Sequence, residues 1–203
     1  MSNMSDQEQI EMLKRWWKEY GVAIISGVVL FLIANYAIHY WHNYKSKQVE
    51  MASLTYSQFL SLDTSNRKDE ANVLASGLER DYKHTPYASL AAFFEAKDAV
   101  HDAHFDIAEQ KFNWIISNAS DKVFRDLARV RLARVLLEEK KPEQALIALN
   151  KIESGTFKAE ALEIRGDVLV SLGKRSEADA VYKEAIAENI TDNIESPLLK
   201  MKI

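Results

Sequence analysis

Residues 166–185 read GDVLVSLGKRSEADAVYKEA, and this stretch predicts two helices that are joined by a tight turn. Apolar residues recur at helical spacing on both sides of the turn, which begins at Gly173. Gly166 allows the second helix to pack closely against the first, and Ala178 is the small residue that faces it. Tyr182, one helical turn after Ala178, fills the gap between neighbouring repeats. The stretch therefore predicts a helix–turn–helix hairpin.

The same pattern occurs twice more upstream, as a small residue, an Ala twelve positions later, a bulky residue four later, and an apolar or small one three beyond. Equivalent alanines lie 37 and 33 residues apart, which is the period of a helical-hairpin repeat. The period and positions resemble the tetratricopeptide repeat, although the first two copies have Ala where Gly is usual. A helical bundle that matches by coincidence is the alternative. The three sets are Ala96, Ala108, Phe112 and Ile115; Ala133, Ala145, Leu149 and Ile152; and Gly166, Ala178, Tyr182 and Ala185.

Divergent segments flank these three copies. A polar break at residues 63–69 separates two helices, one from about residue 46 to 62 and one from about residue 69 to 82, which predict a capping hairpin. Residues 189–196 are typical of a loop, and residues 197–203 predict a short terminal helix that begins with Pro197. The predicted fold is all-α, with one N-terminal transmembrane helix followed by a tetratricopeptide-repeat-like α-solenoid of helical hairpins.

The transmembrane prediction rests on 25 consecutive residues without a formal charge between Glu19 and Lys45, if both His residues there are neutral. As a helix this run spans roughly 38 Å, enough to cross a bilayer. Aromatic residues lie at both of its ends, as at the two interfaces of a membrane. A cleaved signal peptide is disfavoured because about twenty residues, four of them acidic, precede the apolar run and no suitable cleavage site follows it. A buried soluble helix would leave the aromatic residues unexplained.

The predicted organisation is a cytoplasmic segment over residues 1–20, a transmembrane helix over 21–44 and a repeat domain over 45–203 on the far side of the membrane. Lys14, Arg15 and Lys18 precede the span, against two lysines just after it, which favours a cytoplasmic N-terminus. Inside the span, Ala23, Gly27 and Ala34 are small residues at a spacing that permits close helix packing in lipid. The alternative is that they only face lipid.

Composition excludes several kinds of chemistry. The chain has no Cys, which excludes a disulfide scaffold, a thiol nucleophile and Cys-based metal sites. A net charge of −4 gives no reason to expect nucleic-acid binding. No phosphate-binding loop or hydrolase motif occurs, so we expect no enzymatic activity and no cofactor. His101 and His104 have metal-like spacing, with Asp98 nearby, but a solvated turn between two helices is the preferred interpretation.

A stack of helical hairpins has a concave face that is lined by the first helix of each hairpin. In the tetratricopeptide register this face combines apolar anchors with one basic and one acidic zone, which suits an extended peptide or a partner helix. In the alternative interpretation the apolar members are core residues or pack against the terminal helix. The predicted partner-binding residues are Leu90, Phe93, Lys97, Leu127, Val130, Arg134, Leu137, Glu163, Asp167 and Val170.

The whole chain resembles one known family. The carrying features are the N-terminal string DQEQIEMLKRWWKEYG (residues 6–21), the single span, the repeats and the closing LKMKI (residues 199–203). They are similar to the YfgM family, whose members are ancillary subunits of the bacterial SecYEG translocon. The resemblance implies a single-pass inner-membrane protein with a periplasmic C-terminal domain. It further implies association with the translocon and with a membrane-anchored periplasmic prolyl isomerase-type chaperone, and the transfer of unfolded secretory clients to folding factors.

Three functions fit the architecture. We favour a membrane-tethered, non-catalytic adaptor that links the Sec translocon to periplasmic chaperones or to emerging clients. The alternative is a structural scaffold of the bacterial envelope, in an assembly or division complex, because it needs the same anchor and repeats. A membrane-bound, metal-dependent hydrolase that uses His101 and His104 is the third and least favoured hypothesis.

Overall fold

The computed structural model describes residues 6–152, 155–191, 199, 201 and 202, which form eight α-helices and contain no β-strand. The predicted all-α fold, with one long apolar helix at the N-terminal end, is therefore confirmed. The helices are α1 (Asp6–Thr64), α2 (Lys68–Asp81), α3 (Pro86–His101), α4 (Phe105–Asn118), α5 (Lys122–Glu138), α6 (Pro142–Leu149), α7 (Lys158–Ser171) and α8 (Arg175–Thr191).

The chain divides into two compact units, one up to Lys47 and one from Gln48 onward. The described part of the first unit is a stretch of α1 that is long and apolar enough to cross a membrane. From Gln9 to Lys47 every side chain is exposed except at Gly21, against which the Trp17 ring lies. An isolated helix with an apolar surface on all sides is what a bilayer-spanning segment requires.

The second unit is a series of four helical hairpins. The last turns of α1 pair with α2, and α3 with α4, α5 with α6 and α7 with α8 follow in chain order. Their apolar faces form three buried clusters: the first between α1, α2 and α3, the central one between α3, α4, α5, α6 and α7, and the third between α7 and α8. Trp114 on α4 packs against both the first and the central cluster. The small and bulky residues that define the three predicted repeats are all buried in these clusters or, like Gly166, beside them. The repeat pattern therefore marks the contacts between hairpin helices.

The turns inside the four hairpins have the same geometry. Each contains one residue with positive φ, and the backbone N–H of the next residue donates to the carbonyl five positions back at 2.8–2.9 Å. This pair of features is the Schellman motif, which satisfies the free carbonyl groups at the end of a helix. The first hairpin, although divergent in sequence, therefore turns as the other three do. The positive-φ residues are Asn66, Ala103, Lys140 and Gly173.

The starts of several helices are explained by local chemistry. The Thr85 hydroxyl accepts from the Ala88 N–H at the start of α3, and the Asp121 carboxylate accepts from the Val123 N–H at 2.8 Å at the start of α5. α3 and α6 each begin at a proline, whose missing N–H has no helical partner to lose at that position. These signals separate one hairpin from the next and one helix from its partner.

One sequence expectation at the C-terminal end is wrong. Residues 189–191 belong to α8 and are not part of a loop, because the helix that contains Tyr182 and Ala185 continues to Thr191. The rest of the predicted loop, residues 192–196, lies outside the described residues. The predicted terminal helix over 197–203 also lies outside them, apart from Leu199, Met201 and Lys202.

Candidate functional site

The first helices of the three predicted repeats lie next to one another, because α5 contacts both α3 and α7. The predicted partner-binding residues lie on these helices, and we call them, apart from the buried Val130, the first-helix surface. Lys97, Arg134 and Val170 are exposed, whereas Leu90, Phe93, Leu127, Leu137, Glu163 and Asp167 are half-buried.

Val130 offers no surface to a partner, so its prediction as a partner-binding residue is wrong. Its side chain is fully buried in the central cluster. The physical reason is the position of α5, which has α4 and α6 packed against it as well as α3 and α7. A helix with neighbours on so many sides buries residues that would be exposed at the end of a stack.

The α3 part of the surface is an aromatic region that continues into the core. The Phe93 ring lies 6.2 Å from Phe112 and 6.2 Å from Phe124, so helices α4 and α5 hold it in place. The Lys97 ammonium lies 5.3 Å from the centre of the Phe94 ring, a cation–π distance. This end of the surface therefore presents the fixed Phe93 ring and, one helical turn further along α3, an exposed cation that lies over the Phe94 ring.

The α5 part carries the basic zone, and an ion pair connects it to α7. The guanidinium of Arg134 donates to the Glu160 carboxylate at 2.8 Å. Glu160 lies in the first turn of α7, where a negative charge also favours the helix N-terminus. Arg134 is therefore partly neutralised by its own chain, and the pair holds two neighbouring repeats together.

The α7 part carries the acidic zone, and the chain's own C-terminal residues occupy it. The Lys202 ammonium donates to Glu163 at 2.9 Å and to Asp167 at 2.7 Å. Leu199 is fully buried beside Leu162 in the third cluster. The C-terminal residues therefore cover the acidic members of this face at the third repeat. The apolar member Val170 is exposed, so the alternative in which the apolar members pack against the terminal helix stays a prediction.

The electrostatics of the acidic zone favour this arrangement. Burial by itself would lower the pKa of Lys202, but its hydrogen bonds to Asp167 and Glu163 outweigh that effect and raise the pKa. Burial also raises the pKa of Tyr182, and the hydrogen bond from its hydroxyl to Asp167 adds to the shift. Both groups therefore keep their protons and act as donors to the carboxylate of Asp167.

The repeat register predicts both acidic residues on this face, but it does not predict that Lys202 pairs with them. Glu163 lies 39 residues before Lys202, and Asp167 lies 35 residues before it. No local pattern connects residues so far apart. The signal for this contact in the sequence is the composition of the closing string LKMKI, which pairs apolar residues with lysines and so complements an acidic, partly apolar surface.

The turn between α3 and α4, which contains His101 and His104, has the features of a solvated turn. His101 ends α3, and its Nδ1 lies 2.9 Å from Asp102 Oδ1, while His104 directly precedes α4. Among the residues that the structure describes, no group of three or more His, Asp or Glu side chains is arranged to hold a metal ion.

The three small residues of the membrane helix lie along one face of α1. At about 100° per residue, Ala23, Gly27 and Ala34 fall within about 40° of one another. All three are exposed, and a Cβ added at Gly27 would have nothing within 4 Å. The face is therefore open to a neighbouring helix, and its use in helix packing stays a prediction.

Comparison with known proteins shows similarity along the whole chain. Residues 14–203 match the family described as tetratricopeptide repeat-like domain. Three relatives, each named ancillary SecYEG translocon subunit, align over nearly their full lengths. The relative from Haemophilus influenzae is 27% identical over 202 residues, which cover 99% of this chain and 97% of the relative.

The alignments with the other two relatives are equally extensive. The relative from Neisseria gonorrhoeae is 26% identical over 203 residues, covering 100% of this chain and 97% of the relative. The relative from Escherichia coli is 26% identical over 199 residues, covering 98% and 95%. The resemblance that the sequence predicted is confirmed by these names and by the extent of the alignments. With four helical hairpins in the structure and a family match that covers most of its length, the chain belongs to the tetratricopeptide repeat-like domain family.

Proposed function

We propose that the chain is a single-pass inner-membrane protein that acts as a non-catalytic adaptor of the Sec protein-translocation machinery. The observation that carries the proposal is the end-to-end similarity to proteins named ancillary SecYEG translocon subunit, which covers the apolar helix as well as the repeats. An adaptor needs an anchor and a surface for partners. The apolar part of α1 and the first-helix surface supply these two parts.

The finer part of the proposal concerns the side of the membrane on which the repeat domain lies and the partners that it contacts there. The repeat domain faces the periplasm, where it contacts a membrane-anchored prolyl isomerase-type chaperone or unfolded clients that leave the translocon. The cluster of Lys14, Arg15 and Lys18 before the span supports this orientation, because positively charged flanks stay in the cytoplasm. The fixed Phe93 ring, together with the exposed Lys97 one helical turn further along α3, supports contact with an extended peptide.

Photo-cross-linking in living cells tests the partners. A photoreactive amino acid replaces Gly27 in the span, or Phe93 or Arg134 in the repeats. We expect Gly27 to capture a translocon subunit, and Phe93 or Arg134 to capture the chaperone or a translocating client. Ala180, an exposed residue on α8, is the matched control outside the first-helix surface. Capture of neither class would contradict the proposal, and capture of envelope-assembly or division proteins would favour the scaffold function.

Orientation is testable because the chain has no cysteine of its own. Ser5→Cys and Ser176→Cys place single thiols before the span and at the start of α8. A membrane-impermeant maleimide added to intact spheroplasts should label Ser176→Cys directly and Ser5→Cys only after the membrane is permeabilised. The opposite pattern would place the repeat domain in the cytoplasm and contradict the finer part of the proposal.

A further inference from the structure

The acidic zone of α7 is a formed binding site with an occupant in place. Three carboxylate oxygens surround the Lys202 ammonium, at 2.9 Å for Glu163 Oε1 and at 2.7 and 2.9 Å for the two oxygens of Asp167. A lysine ammonium has three N–H donors and no acceptor, so this arrangement satisfies all of them. The same ammonium lies 5.7 Å from the centre of the Tyr182 ring, whose face attracts cations.

An apolar pocket lies beside the cation site. Leu199 is fully buried there, in a cluster with Leu162, Leu169 and Tyr182. Tyr182 contributes to both parts, because its ring contacts the occupant while its hydroxyl donates to Asp167 at 2.8 Å and orients that carboxylate. The site therefore recognises an apolar side chain followed three residues later by a lysine.

Among the residues that the structure describes at this site, negative charges outnumber positive ones. Glu163 and Asp167 provide two negative charges, and Lys202 provides one positive charge. An approaching basic peptide is thus attracted even while the chain's own segment is bound. The edges of the occupant are accessible, since Met201 is 81% exposed and the Lys202 side chain is 32% exposed.

We propose that this site on the third repeat binds a partner segment with an apolar residue followed three positions later by lysine, in competition with the chain's own Leu199 and Lys202. The inference rests on the proposed adaptor function and specifies which peptide chemistry the adaptor recognises. The C-terminal residues act as an internal ligand, which lowers the apparent affinity for the partner by the fraction of molecules in which the site is open. A partner with the same spacing and a larger contact area displaces them.

A peptide-binding experiment on the full chain in lipid nanodiscs tests the competition. The probe is a fluorescein-labelled peptide with the sequence of residues 197–203, PLLKMKI, followed by fluorescence anisotropy. Lys202→Ser in the protein removes one anchor of the internal ligand and opens the site. We expect this variant to bind the probe about tenfold more tightly than the unmodified chain, or more.

Matched controls identify the site. Adding Glu163→Gln and Asp167→Asn to the Lys202→Ser protein should abolish binding, while the far-ultraviolet circular dichroism shows that the helices persist. A probe with Ser in place of Lys202 should bind at least about tenfold more weakly, because it lacks the cation that the carboxylates hold. A probe with Ser in place of Met201, whose side chain is exposed, should bind as the original does.

Two outcomes would overturn the inference. Equal binding of the probe by the unmodified chain and by Lys202→Ser would show that the C-terminal segment does not compete. A doubled mass in light scattering that Lys202→Ser abolishes would show that two copies exchange their C-terminal segments instead. Either result leaves the cross-links of Gly27 to the translocon untouched, so it is distinguishable from failure of the proposed function.

Discussion

Gly166 shows how a single residue decides the packing of the third repeat. A Cβ added at this position would lie 2.2 Å from Cε1 of the Tyr182 ring, well inside van der Waals contact. The ring cannot easily move away, because it is 98% buried and its hydroxyl is bonded to Asp167. Gly166→Ala should therefore lower the free energy of unfolding by about 1–3 kcal/mol, the usual cost of overpacking a core. Denaturant unfolding of the repeat domain, followed by circular dichroism, measures the change.

A double-mutant cycle separates this clash from helix propensity. The second repeat has Ala133 and Leu149 at the equivalent positions, so Gly166→Ala combined with Tyr182→Leu should lose less stability than the two single changes added together. Gly77, in the middle of α2, is the control, because a Cβ there has nothing within 4 Å. Gly77→Ala should stabilise by about 0.5–1 kcal/mol. Additive losses in the cycle would contradict the clash.

At the scale of elements, the four hairpins share the Schellman turn geometry, although a different residue type occupies the positive-φ position in each. Only Gly173 among the four positive-φ turn residues is a glycine, although a side chain is disfavoured in this conformation. Ala103→Gly, in the turn between α3 and α4, should therefore raise the free energy of unfolding by about 0.5–1 kcal/mol, and Gly173→Ala should lower it by about 1 kcal/mol. Urea unfolding of both variants provides the measurement, and a change of the same sign in both would contradict the assignment.

The four turns share a backbone geometry but no residue type, which explains why the first hairpin looks divergent in the sequence. Asn66, Ala103 and Lys140 have no glycine signature, so the sequence did not reveal that the four turns are equivalent. The helix boundaries themselves were predictable. α1 ends at Thr64 and α2 covers Lys68–Asp81, within two residues of the predicted limits, because polar residues interrupt the apolar pattern there.

At the scale of the whole molecule, a half-buried charge cluster joins the first hairpin to the next. The Lys111 ammonium on α4 lies 2.9 Å from the Glu79 carboxylate on α2 and 2.7 Å from the Glu95 carboxylate on α3. Burial, together with the hydrogen bond to Glu79, raises the pKa of Glu95 to about 7, against the opposing effect of Lys111. Two carboxylates thus share one cation in a place with little water.

This cluster makes the stability of the stack depend on pH. The folded protein holds the Glu95 proton more tightly than the unfolded chain does, so its contribution to stability is complete below a pH of about 4.5 and is lost as the pH rises to about 7. Glu95→Gln should therefore gain stability relative to the unmodified protein between about pH 5 and pH 8, by up to about 3 kcal/mol. Thermal and urea unfolding across this pH range measure the difference.

An exposed glutamate is the control for that titration. Glu138→Gln, at the end of α5, should leave the pH profile of stability parallel to that of the unmodified protein. A Glu95→Gln protein whose stability profile is also parallel would show that the Glu95 carboxyl group does not titrate in this range. Lys111→Met, which leaves both carboxylates without their cation, should destabilise by about 2 kcal/mol at neutral pH, between the values for exposed and buried pairs.

The sequence by itself determined the features that depend on neighbours along the chain. The uncharged run after Glu19 predicts the apolar helix, because a bilayer-length helix needs only composition and length. The spacing of Ala108, Ala145 and Ala178 predicts the hairpins, because small residues that meet between two helices recur once in each hairpin repeat of about 34 residues. These signals are local, so they can be detected in a single sequence.

Only the tertiary structure decided which parts of the surface are free. Val130 is buried because α5 has helices packed around it, and the acidic zone is filled because Lys202 returns to Glu163 across 39 residues. Contacts of this kind depend on the positions of several helices at once, since each needs a partner that the local pattern does not specify. The repeat period is visible in the sequence, whereas the contact of Lys202 with the acidic zone of α7 depends on the fold.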